Sequence, residues 1–274
     1  MGTLYKKQYN MRTLFLLLSL MVSLVIDVTS QGLSMSPTRL FFSGNPGETI
    51  TQTVRLGNSS DKEYNLSVSY KDWERDHNGN KIYTEPGTRE KSNASWVSTD
   101  QNTIRVPANG QKEVQVTMQI PEYASVSTET NSMMFFTQLP QQSDRTSTST
   151  GIGIVTLFEF GLHVYYTPPA NTLKSLEITN IEEVQGEDQN RKVAITIFND
   201  GNTFADATVE FELTNTDSGE EIKLKPQTIS MFPEAEQVVQ FSIPQNISGD
   251  FLGVTIIKMS GTNDLRVGEK NFKF

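Results

Sequence analysis

The chain has 274 residues, enough for about two domains. Its 23 Lys and Arg against 32 Asp and Glu leave a net charge of −9, which argues against the basic footprint of a nucleic-acid binder. With no Cys and only two His, His77 and His163, thiolate chemistry, disulfides and Cys- or His-rich metal sites are excluded.

The N-terminus reads as an export signal. Lys6, Lys7 and Arg12 precede an apolar run over 14–26, and Val28-Thr29-Ser30 before Gln31 is a cleavage pattern. The run of about 13 is short of the roughly 20 residues that a membrane span requires. Residues 1–30 are therefore expected to be a cleaved Sec signal peptide, with Met11 a second candidate start. The mature chain is expected in the periplasm or cell envelope, without stable membrane insertion.

From there the pattern is strand and turn. Residues 33–42 read as an extended opening strand, and Asn45-Pro46-Gly47 as a turn. Alternation marks 49–57 and 64–70. Asn78-Gly79 is a strong hairpin signal, returned by Ile82-Tyr83. Short strands follow at 94–97, 103–106, 114–120 and 133–139. After a polar stretch, 141–150, comes a run over 151–169 that reads as one long strand ending at Pro168-Pro169. Both of its parities are largely apolar. One face should cover its own core, and the other needs a partner.

Pro168 to Asn171 reads as a short, stiff hinge. The second half repeats the style at 173–178, 192–198, 207–213, 221–224, 238–243, 251–258 and 271–274. The fold expected is all-β: two immunoglobulin-like β-sandwiches over 31–168 and 171–274, joined by the Pro-rich hinge.

Candidate chemistry is sparse. No G-x-S-x-G occurs, and two His give little room for a nucleophile–base pair, so no enzyme, catalytic residue or cofactor is expected. Glu182-Glu183 and Glu220-Glu221 read as solvated turns. Glu74, Asp76, Asn78 and Glu85 have the spacing of a calcium loop, but no helices flank them and the hairpin explains Asn78-Gly79, so no metal site is expected. Trp96 reads as core, and Trp73 as either core or a stacking surface. Glu159 should face solvent or meet Arg39.

Three stretches carry a resemblance. Residues 35–42 (MSPTRLFF), 132–140 (SMMFFTQLP) and 164–168 (VYYTP) resemble the first strand, the strand before the mobile loop and the end of the last N-domain strand of the periplasmic pilus-assembly chaperones. The resemblance implies two immunoglobulin-like domains and a cleft between them. In that family an Arg and a Lys in the cleft anchor a client's C-terminal carboxylate, and alternate apolar residues of the last strand fill the client's groove. It thus implies client binding by Arg39, His163, Ile154, Thr156 and Phe158. His163 stands at the Lys position, and a neutral imidazole lacks the fixed charge of Lys. A bulge at Gly161 would be needed to bring His163 onto the side of Phe158.

The function expected is a chaperone-like protein that binds exported pilus or surface-fibre subunits by β-strand addition through 151–166. The alternative is a structural or adhesive cell-surface module that binds peptidoglycan or a partner surface protein. An open edge would also admit a homodimer through an edge strand.

Overall fold

A computed structural model describes residues 32–140, 157–186 and 190–274. The signal segment, Ile154 and Thr156 lie outside the described residues. Among the described residues no helix is long and apolar enough to cross a membrane.

The strands of the N-terminal half are β1 (Leu33–Ser36), β2 (Arg39–Phe42), β3 (Thr49–Asn58), β4 (Tyr64–Arg75), β5 (Lys81–Thr84), β6 (Val97–Thr99), β7 (Thr103–Val106), β8 (Gly110–Gln119), β9 (Thr130–Gln138) and β10 (Glu159–Tyr166). One sheet has the order β1-β3-β8-β6. The other runs β2-β10-β9-β4-β5, with β7 also paired to β4. Alternation builds the core between them. Val54, Leu56, Val114, Val116 and Met118 face inward from the first sheet, and Leu40, Phe42, Leu66, Met134, Phe136, Leu162, Val164 and Tyr166 from the second.

The C-terminal half carries β11 (Glu177–Gln185), β12 (Arg191–Phe198), β13 (Ala205–Asn215), β14 (Glu221–Lys223), β15 (Gln227–Met231), β16 (Glu236–Ser242), β17 (Asp250–Met259) and β18 (Leu265–Lys273). Its sheets are β11-β12-β16 and β14-β13-β17-β18, with β15 on β13. Ala205, Ala207, Val209, Phe211 and Leu213, every second residue of β13, line its core. The molecule is all-β, two immunoglobulin-like sandwiches in series.

Several details depart from the sequence reading. The opening stretch is two strands in different sheets, because the chain crosses over at the cis Ser36–Pro37 bond. Residues 94–96 form a 3-10 turn ahead of β6. Glu182 and Glu183 lie inside β11, and β15 has no counterpart in the predicted strands. The described part of the long strand is β10 alone, and its pairing with β9 runs without a register shift. Gly161 therefore makes no bulge, and His163 and Phe158 keep opposite faces. Gly161 serves packing instead, since a Cβ there would meet Met133 Cε at 2.8 Å.

Candidate binding cleft

The outward face of the β10 sheet is built in rows by strand register. Arg39 of β2 stands beside His163 of β10, which stands beside Met133 of β9. The next row holds Phe41 and Tyr165. Trp73 and Arg75 lie at the end of β4, opposite Tyr83 and Lys81 of β5. The hairpin predicted at Asn78-Gly79 thus places two further cations on the face that carries Arg39.

The C-terminal sandwich covers this face. Trp73, Met133, Phe135, Tyr165 and Phe204 form a buried cluster with Phe232 packed against it. Tyr165 lies 4.6 Å from Phe204 between ring centroids, and Trp73 5.3 Å from Phe232. Of the second parity of the long strand, Tyr165 meets aromatic side chains of the other sandwich, while Leu157 and Glu159 stay exposed. Trp73 is fully buried, donating from Nε1 to the Ser132 carbonyl at 3.1 Å, whereas Trp96 is only partly buried.

Polar ties bridge the halves around the cluster. Arg39 Nη1 donates to Asp206 Oδ2 at 2.6 Å. Val238 N donates to the His77 carbonyl at 2.7 Å, docking the hairpin tip on the edge of β16. Gly79 fits there because its φ is +82° and any Cβ would collide with the Gln237 amide. At the hinge, Asn171 Nδ2 donates to the carbonyls of Ser127 and Asn202.

His163 is 9% exposed and sits edge-on to Trp73. Lys81 Nζ lies 2.9 Å from its Nε2. The ammonium donates, so Nε2 accepts and the ring proton sits on Nδ1, 3.4 Å from Tyr165 Oη. Burial, then the charges of Lys81, Arg39 and Arg75, lower the His163 pKa to about 3. Lys81 is itself lowered, by burial and then by Arg75 and Arg39. His163 does not replace a lysine charge. It holds the ammonium of Lys81, which no sequence motif singled out. Asp206, Arg75 and Ser230 were missed with it.

The remaining predicted residues separate. Phe158 is half-buried, edge-on to Tyr64 and stacked on Phe160. Glu159 is exposed and accepts from Thr137 Oγ1 rather than meeting Arg39. In the calcium-spaced stretch, Glu74 pairs with Arg89, and Asp76 accepts from Asn78 N, Asn80 N and Asn80 Nδ2 to tie the turn.

Among the described residues, one edge of β10 is open. His163 N donates to the Thr38 carbonyl and Thr167 N to that of Phe42, so odd-numbered residues turn their amides toward β2. But β2 pairs only with His163 to Tyr166. Glu159 and Gly161 therefore point backbone groups at an edge with no strand partner among the described residues.

Glu129 lies beside the hinge. It accepts from Thr167 Oγ1 at 2.6 Å and from Phe204 N, and burial pushes its pKa up to about 7 from its ordinary 4.5. A carboxyl raised in the fold binds its proton more tightly there than in the unfolded chain. Stability from this group is complete below about pH 4.5 and is lost as pH rises toward about 7. Glu129→Gln is expected to flatten that part of the profile, checked by urea unfolding at several pH values. An unchanged slope would show that Glu129 stays ionised.

No family model matches the sequence, and no curated protein matches it. Among solved structures, the chain is similar to the class 5 fimbriae chaperone CfaA, at 13% identity and TM-score 0.48 over 87% of this chain and 99% of that one. It is similar to the YadV chaperone at 10% identity and TM-score 0.49 over 88% and 99%. It is similar as well to a chain of the Salmonella enterica SafA pilin–SafB chaperone complex, at 10% and 0.47 over 89% and 97%.

Proposed function

We propose that this chain is a divergent periplasmic chaperone of the pilus-assembly kind, capturing exported pilus or surface-fibre subunits by strand addition at the edge of β10. The observation that carries the reading is the edge at Glu159 and Gly161, unpaired among the described residues, which leads toward the cations of the cleft. A client strand laid there gains main-chain hydrogen bonds, and its apolar side chains select the register. Its C-terminal carboxylate runs to Arg39 and Lys81. Ile154, Thr156 and Phe158 supply the apolar contacts on the chaperone side. Residues 1–30 are the export signal, and 31–168 and 171–274 the two folding units. The resemblance of 35–42, 132–140 and 164–168 to that family supports the same reading.

Glu159→Pro tests it. Glu159 is exposed and its amide faces the open edge, so proline removes an edge donor without breaking a bond to β9. The variant is expected to fold normally by circular dichroism and to recover at least tenfold less client in a periplasmic pull-down, by the loss of ladder bonds. Undiminished recovery would favour a structural surface module.

A further inference from the structure

Asp206 lies on the outward face of β13, directly opposite Ser230 of β15. Ser230 Oγ donates to Asp206 Oδ1 at 2.5 Å, which leaves Oδ2 to accept from Arg39 Nη1 at 2.6 Å. One sandwich thus orients a carboxylate and presents it to a cation of the other. The pair borders a cleft of about 970 Å³ lined by Arg39, Arg75, Lys192, Ser230 and the hairpin tip.

The charges around it do not balance. Arg39, Arg75 and Lys81 converge on His163, and among the described residues Asp206 is the carboxylate that acts on that imidazole with them. Lys81 is held by a neutral ring. Arg75 gives one N–H to the Gly79 carbonyl, while its buried Nε has no hydrogen-bond partner among the described residues. Among the described residues, Arg75 and Lys81 therefore have no ion-pair partner beside Arg39, which has one, and the group already seated there is a carboxylate.

We infer that Asp206 is an internal stand-in for the client: it occupies Arg39 in the free protein, and a peptide C-terminal carboxylate displaces it while Lys81 and Arg75 supply the remaining charge. The inference rests on the proposed function and adds a residue that opposes binding. Displacement is feasible because the two side chains are 36% and 34% exposed, and ion pairs at such sites are weak. Exchange also unties one contact between the sandwiches, so client arrival and cleft opening become a single event.

The probe is an acetylated pentapeptide of alternating valine and threonine, prepared as free acid and as amide, titrated into the full chain by calorimetry. Asp206→Asn is expected to bind the free acid roughly fivefold more tightly than wild type, with the amide unchanged. Ser230→Ala, which only loosens Asp206, should move the same way by less, and it carries the test if Asp206→Asn fails to fold. A wild type that prefers the acid, with both variants indistinguishable from it, overturns the stand-in role and leaves the proposed function intact. A wild type that binds neither peptide, or both alike, overturns the stand-in and the carboxylate anchor together.

Discussion

Replacing Trp73 with alanine is expected to lower the unfolding free energy by about 3–5 kcal/mol, the range for removing a large buried aromatic. Trp73 has no exposed surface. Its ring touches His163, Tyr165 and Phe232, and the charges of Arg75 and Lys81 lie 5.8 and 5.7 Å from its centroid. Truncation leaves a cavity between the sandwiches and removes the indole bond to the Ser132 carbonyl, which keeps its place in the β9–β10 ladder. Trp73→Phe restores much of the apolar area but not the donor, so its cost should be about 1–2 kcal/mol. Urea unfolding checks both. A loss below about 1 kcal/mol for alanine would mean that the seam relaxes around the gap.

The second large effect belongs to Lys81. Lys81→Met keeps an unbranched apolar stem over Trp73 and removes the ammonium. Affinity for a free-acid peptide is expected to fall about 10- to 100-fold, and the preference over the amide to vanish, because a charged hydrogen bond in a desolvated cleft is lost. Stability should change little. His163 loses its donor, but the nearest cation opposing its protonation goes too, so its pKa should rise from about 3 toward its ordinary 6.5. For a histidine depressed in the fold, stability is full above pH 6.5 and is lost as pH falls toward the folded value. Narrowing that gap makes Lys81→Met less acid-sensitive than wild type. Histidine NMR supplies the titration. An unchanged acid-to-amide ratio would remove Lys81 from the anchor.

Much of this architecture was legible because it is local. Period-two alternation marks β3, β8 and β13, and Asn78-Gly79 marks a hairpin whose geometry needs glycine. Arg39 was found through the stretch that surrounds it. Lys81 was not, since nothing in a hairpin strand announces contact with a histidine 82 residues later. Asp206 lies 167 residues from Arg39 and sits in plain alternation with its neighbours. Such partners are set by how two sheets meet, and no periodicity encodes that. The crossover at Ser36–Pro37 was missed because both halves are extended, and β15 because its short run resembles loop.

The aromatic seam bears on how the protein is made. Phe204 and Phe232 are synthesised after the whole N-terminal sandwich, so Trp73, Phe135 and Tyr165 must wait without their covering rings. During that interval the early half displays a greasy patch next to a strand edge that is unpaired among the described residues, the combination most prone to wrong association. Expressed by itself, that half should be poorly soluble, and in the whole chain the two halves should melt in one transition. The seam that later holds the two halves together is thus the face most exposed to the chain's own siblings, until the second half arrives to shield it.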